Sequence, residues 1–442
     1  VPRPGVPLRE EARLIWQAAV EAARPEPLLR ATLEARELQE AVRGARRLIV
    51  VGAGKAGAAM SAALEAILAD DLNRVEGIVN VPIESVRPLR AIQLHGARPA
   101  GSNHPTAEGV AGSTRILDLV AAAGPDDLVL CLLSGGGSAL LPAPVASVSL
   151  ADKQAVTQFL HACGATINEM NAVRKHLSRI KGGQLARAFH GRHLYSLIIS
   201  DVVGDPLDVI ASGPTAADPT TFADALAVLD RYRLMPRVPP AVRTYLERGA
   251  AGKEPETLKV LPTNVSNCVI GNNRKALAAA QAQAEALGYR VLNLGSYIEG
   301  DTRHIAMAFA GIVRSIRCDR VPLPPPVCVL SGGETTVTLT ERHGLGGRNQ
   351  EFVLACLAIL GDLRGLALLS GGTDGEDGPT DAAGAVADDG TLARAGQAGF
   401  SPADFLNRHD AYHFFAATDD LVRTGLTETN VMDVRVLLVA PS

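Results

Sequence analysis

The sequence has no cysteine pair at metal or redox spacing. Its six cysteines, Cys131, Cys163, Cys268, Cys318, Cys328 and Cys356, are scattered without a CxxC. Three of them sit in apolar runs of strand character, where cysteine behaves as a small hydrophobe. They therefore read as reduced core residues in a reducing compartment, which excludes a disulfide framework and a cysteine-based metal site. No apolar stretch reaches the ~18 residues that would suggest a membrane span. With 43 basic against 47 acidic residues, net −4, there is no broad basic field for nucleic acid or an anionic membrane, so any anion site must be local. Neither G-x-S-x-G nor G-x-x-x-x-G-K-[ST] occurs, which removes the nucleophile elbow and the P-loop. A long internal repeat is also missing.

Glycine and proline are plentiful, 43 and 27 in 442 residues, as many tight turns would require. The length is large for one core, and strands alternate with helices. The expected fold is α/β with two domains, each a largely parallel sheet flanked by helices, the first doubly wound and Rossmann-like. The expected boundaries are 1–240 for the first domain, 241–265 for a proline-rich connection and 266–442 for the second. The spacing predicts helices over 150–163 and 167–190, and strands near 412–416 and 434–439. The start, VPRPGVPLREE, lacks an apolar signal core and reads as a processed end; a cytoplasmic location is expected, with a processed organellar form left open.

Three apolar runs end in Ser-Gly-Gly: LCLLSGGG (130–137), VCVLSGG (327–333) and LALLSGG (366–372). Each reads as a strand buried on both faces that empties into a loop, and ligands bind outside the carboxyl ends of such strands. Gly-Gly lets main-chain N–H groups approach an anion, so Ser134, Gly135, Gly136, Gly137 and Ser138, then Ser331, Gly332, Gly333 and Glu334, and finally Thr373, are candidate phosphate or nucleotide contacts. The first strand ends VVGAGKAG, a G-x-G-x-x-G match without an acid at the tip of the next strand, which weakens a nicotinamide reading. Its Lys55, beside Gly54 at a helix start, suits a phosphoryl oxygen.

In NAVRKHLSRIKGG, helical spacing sets Asn171, Arg174, Ser178 and Lys181 beside an apolar stripe, a pattern that borders a pocket or simply faces solvent. Asp201 at a strand tip suits a proton acceptor or a Mg²⁺ ligand. Asp205 follows it, with helix capping an equal alternative. Arg348, after a Gly run at a helix start, suits a carboxylate fork or a charged phosphoryl group. Asp374 and Asp377 lie in TDGEDGPTD, which lacks EF-hand spacing and is open to metal binding or to capping. His104 is the one histidine in an obvious loop motif.

Together VGAGKAG, LLSGGGSALLPAP, NAVRKHLSRIKGG, LIISDVVGDPLDVIASGPT, GGRNQE and LSGGTDGEDGPTDAAGA resemble the glycerate kinase family with a C-terminal MOFRL domain, over nearly the whole chain. The resemblance implies ATP-dependent phosphorylation of D-glycerate, most often to 2-phosphoglycerate, in a cleft between two α/β domains, with a MOFRL region at about 325–440. It implies ATP and Mg²⁺, with Lys55, Asp201 and Arg348 as catalytic residues. His104, Asn171, Arg174, Lys175 and Lys181 would hold the substrate, and Asp205, Asp374 and Asp377 the metal. A homodimer is left open; nucleic acid and membrane are not expected partners. The rivals are an NAD(P)H-dependent hydroxypyruvate reductase and a non-catalytic nucleotide or sugar-acid sensor. The chain departs from the family pattern in Gly425–Val431, where Glu428 stands in place of a Gly.

Overall fold

The computed structural model describes residues 6–99, 102, 104–339 and 341–441; the extreme start discussed above lies outside them. The chain forms two compact units, one of Pro25–Ile270 and one of Gly271 onward joined by the segment through Arg24. The second domain is expected from residue 266, and the second unit takes up the chain at Gly271. Two segments are placed differently. The helix Pro240–Ala250, expected as connection, belongs to the first unit, whereas the helix Leu8–Ala22 belongs to the second. That first helix buries Ile15, Trp16 and Ala19, and its Trp16 Nε1 donates to the Gly371 carbonyl at 3.1 Å. Its amphipathic pattern forecasts a buried face; which core covers it is a long-range matter.

Residues 25–270 carry a six-stranded sheet. Its strands are β1 (Leu48–Ala53), β2 (Val75–Pro82), β3 (Ile92–Arg98), β4 (Leu128–Leu133), β5 (His193–Ile199) and β6 (Val265–Gly271), in the order β3-β2-β1-β4-β5-β6. The pairings of β1 with β2 and β4, of β2 with β3 and of β4 with β5 are parallel. Every residue of β1 and β4 is buried, as strands covered on both faces must be. This is the doubly wound order, and its direction reverses between β1 and β4, where ligand crevices form. The helix expected over 167–190 stops at His176. Gly182 and Gly183, at φ 58° and 76°, then turn the chain, a left-handed conformation that glycine adopts without strain. The stripe from Asn171 to Lys181 is therefore a helix end plus a turn.

The other unit holds a seven-stranded sheet of β7 (Arg290–Asn293), β8 (Ile298–Asp301), β9 (Val327–Thr336), β10 (Leu366–Gly372), β11 (Gly384–Ala387), β12 (Leu421–Val422) and β13 (Asp433–Val439). Only β7 and β8 pair parallel, both with β9; β13 lies antiparallel between β9 and β10. The largely parallel sheet expected here is thus mixed. Long aliphatic runs report burial on both faces, and direction does not follow from them. Residues 412–416, expected as a strand, lie in the helix Ala411–Ala417, whose Phe414 and Phe415 fill the core. Short apolar runs do not distinguish the two structures.

Candidate active site

The first Ser-Gly-Gly segment follows its strand, the second lies inside β9 and the third forms the last three residues of β10. In β9 and β10 the glycines belong to the paired strand, and a Cβ on Gly332 would meet Asn273 Oδ1 at 1.6 Å, one on Gly371 the indole of Trp16 at 2.8 Å. Those glycines permit close packing; they do not open loops to a ligand. Thr373 is likewise committed, its hydroxyl donating to the Met432 carbonyl at 2.7 Å and accepting from the Val431 N–H at 2.8 Å.

The first loop, Ser134–Ser138, interlocks with the loop after β1. Lys55 N–H donates to the Gly135 carbonyl at 2.8 Å, Ala56 N–H to Ser134 Oγ at 3.1 Å, and Gly54 N–H to the Asn80 carbonyl at 3.3 Å. A Cβ on Gly54 would meet Ser134 Oγ at 1.9 Å. The amides that a dinucleotide pyrophosphate would need are therefore spent within the protein. Side chains gather on the other side of the loop. A Cβ on Gly135 would lie 2.0 Å from Asp201 Oδ2, and one on Gly136 would lie 3.2 Å from Arg98 Nη2 and 3.3 Å from Lys55 Cγ. Lys55, Arg98 and Asp201 thus surround two residues without side chains.

Gly136 also lines a cavity of about 280 Å³ walled by His104, Ser138, Lys153, Arg174 and Lys181, and none of its lining residues is an acid. Lys181 Nζ donates to the Ser138 carbonyl at 2.6 Å and to its hydroxyl at 2.7 Å, and Arg174 Nη2 also reaches that hydroxyl. Ser138 Oγ lies 2.8 Å from Ser212 Oγ, which donates to Asn171 Oδ1 at 3.1 Å. Asn171 thus supports the cluster from behind. Lys153 Nζ donates to the Leu177 carbonyl at 3.1 Å. Burial, reinforced by Arg174, brings Lys153 down to about 7, and burial with Arg174 and Lys153 holds Lys181 well below the usual lysine range. Adjacent cations that destabilise one another's charge form a place for an anion.

Lys175, expected to hold substrate, points elsewhere. Its Nζ pairs with Asp208 at 2.9 Å and Asp218 at 3.3 Å, and it is buried. It is an internal ion pair, because one residue along a helix turns the side chain by about 100°. Asp205 is a turn residue at φ 56°.

In the other unit Arg348 opens the helix Arg348–Leu360 and forks onto Asp433 with Nε–Oδ2 2.7 Å and Nη2–Oδ1 3.0 Å, while Nη1 meets Glu334 at 3.0 Å. Asp433 lies in register between Gly333 and Gly372, so the Gly positions frame it. These carboxylates raise Arg348 above its ordinary value against the opposing effect of burial. Asp377 caps the same helix, accepting the N–H groups of Asn349 at 3.0 Å and Gln350 at 2.8 Å. Of the expected metal set, Asp377 serves the helix, Asp374 Oδ1 takes the Glu376 N–H at 3.2 Å, and Asp205 belongs to the first unit. Among the described residues no three His, Cys, Asp or Glu form a metal-holding group.

Arg98, Lys153 and Asp433 carry this geometry and escaped the sequence reading. Each sits in an ordinary strand or helix pattern without a glycine-rich neighbour, so no local signal marks it. Glu428, which departs from the expected family pattern, has φ 61°, a left-handed conformation that costs a side-chain-bearing residue about 1 kcal/mol.

Doubly wound topology with an acid-free cationic cavity at the strand ends defines an α/β protein that takes small anions. Comparison narrows the class. A family model described as a domain of unknown function (DUF4147) matches residues 11–247, and one described as the MOFRL family matches residues 327–433. The chain is 44% identical over 401 residues to an Agrobacterium vitis protein named, provisionally, as a hydroxypyruvate reductase, covering 89% of this chain and 99% of that one. It is 37% identical to the glycerate 2-kinase of Pyrococcus horikoshii, covering 89% and 87% respectively. The crystal structure of glycerate kinase from Thermotoga maritima superposes with a TM-score of 0.87 at 34% identity, covering 98% of this chain and 99% of that one. The chain belongs to the glycerate kinase family with a C-terminal MOFRL region.

Proposed function

We propose that the protein is an ATP-dependent glycerate kinase that phosphorylates the 2-hydroxyl of D-glycerate. The observation that carries this reading is the cationic cavity at Ser138, lined by Gly136, against which Lys55 and Arg98 lie, with Asp201 against the preceding residue, Gly135. Arg174 and Lys181 hold the glycerate carboxylate by charge-assisted hydrogen bonds, with His104 on the wall. Asp201 accepts the hydroxyl proton as that oxygen attacks the γ-phosphorus; the bond to the ADP oxygen breaks, and Lys55 and Arg98 neutralise charge on the moving group. Such transfer asks mainly for positioning and electrostatics. We assign Arg348 a supporting role toward the nucleotide, on the family resemblance and on its forked ion pair with Asp433. Kinases of this kind draw on Mg²⁺ to neutralise phosphate charge; among the described residues no three acidic, His or Cys side chains form a group that would hold it, and no step is routed through a metal.

The reductase reading is the weaker one, because the β1 loop amides are committed internally and β2 ends without an acid. Release of ADP with D-glycerate, and phosphorus NMR of a 2-phosphoglycerate product, are the expected results. NAD(P)H oxidation by hydroxypyruvate without ADP release would sink the proposal, and a 3-phosphoglycerate product would correct its regiochemistry. Among the described residues no helix is long and apolar enough to cross a membrane. The six free cysteines support our placing the protein in the reducing cytoplasm.

A further inference from the structure

We propose that the Ser138 cavity is a subsite for a doubly negative group, with Lys153 as its third cation, so that small dianions bind there in preference to monoanions. The inference rests on the cavity being the acceptor site of the kinase reading, and it concerns the charge that site selects. Glycerate brings one negative charge. The cavity presents Lys153, Arg174 and Lys181, with His104 and His161 also on its wall, and none of its described lining residues is an Asp or Glu. Lys153 and Lys181 are 6% and 1% exposed, and neither makes an ion pair among the described residues.

Lys175 sets the contrast. Next to Arg174 in the chain, it is buried to the same degree and is met by two aspartates. The fold supplies carboxylates where a buried cation is structural and withholds them where the cavity opens. A buried cation without a counter-charge is costly, and a guest with two negative charges offsets more of that cost than a monoanion does. Two guests share this chemistry: a phosphate monoester of a small hydroxy acid, which is what the reaction releases, and a three-carbon dicarboxylate. Either would compete with glycerate.

The test is calorimetric titration of the full chain, without nucleotide, with D-2-phosphoglycerate, inorganic phosphate, tartronate, D-glycerate and L-lactate. At least one dianion class should bind about tenfold or more tighter than lactate and glycerate. Lys153→Met should collapse that ratio to about threefold or less, and Lys153→Arg should restore it. Preference for both phosphate ligands over tartronate assigns the subsite to a phosphoryl group; equal preference for tartronate assigns it to charge alone. Equal binding of monoanions and dianions by the unaltered protein, which needs no variant to fold, overturns the inference, as does an unchanged ratio in a folded Lys153→Met. Glycerate turnover without dianion preference removes this inference and leaves the kinase reading intact. Dianion preference without turnover does the reverse.

Discussion

The Asp201 carboxylate rests against the Cα of Gly135: a methyl group there would lie 2.0 Å from Oδ2. This contact ties the proposed proton acceptor to the loop that borders the substrate cavity. Gly135→Ala should therefore push Asp201 aside and lower kcat by about 10²-fold or more, the lower range of what a positioned base contributes. Asp201→Asn should lose as much without any steric insult. Steady-state assays of both variants check this; a Gly135→Ala enzyme with normal kcat would show that Asp201 does not act on the substrate.

Lys153 sets a pH dependence. Burial and Arg174 bring it to about 7 in the free protein, so it is charged below that pH and neutral above it. Since kcat/KM reports groups of the free enzyme, kcat/KM for glycerate should fall as pH rises through about 7. Lys153→Met should flatten that descent and lower the acidic plateau. A descent that persists unchanged in the variant would assign it to another group.

Neighbouring basic residues should separate into structural and binding roles. Lys175→Met leaves Asp218 buried without its cation, which should cost about 3 kcal/mol of stability. Lys181→Met removes a cation that has no counter-charge, so it should raise the KM for glycerate about tenfold or more while leaving the melting temperature unchanged or higher. Calorimetric melting together with KM values decides; a Lys175→Met protein of normal stability would return Lys175 to the substrate.

These cases show what was legible beforehand. Doubly wound topology was readable because β1 and β4 are apolar throughout and lead into glycine-rich turns. Lys55 and Asp201 stood out because they adjoin a glycine-rich turn or a strand tip, and Arg174 and Lys181 because helical spacing set them beside an apolar stripe. Lys153 was not legible, since a lysine on an amphipathic helix is ordinarily solvated, and only the packing of Leu177 and Arg174 around it shows burial. Two of the three Ser-Gly-Gly segments misled for a related reason. Glycine marks any close approach of backbone, and at Gly332 and Gly371 the approaching group is a protein side chain. Asp433 opens an otherwise mostly aliphatic strand, and its importance comes from the register that sets it between Gly333 and Gly372.

Asp377 offers a test of the helix seat beneath Arg348. Burial, with Asp433 nearby, pushes its carboxyl up to about 6, although the Asn349 and Gln350 N–H groups favour the charged form. Its pKa is thus higher folded than unfolded, so its contribution to stability is fully present below about pH 4 and is lost as pH rises through about 6. A shift of about two units corresponds to about 3 kcal/mol. Asp377→Asn keeps an oxygen for the helix N–H groups but has no proton to lose, so its melting temperature should decline less between pH 4.5 and 7 than that of the unaltered protein. Parallel pH profiles for the two proteins would mean that the helix N-terminus stabilises the carboxylate as fully as water does, and that the cap carries no electrostatic cost.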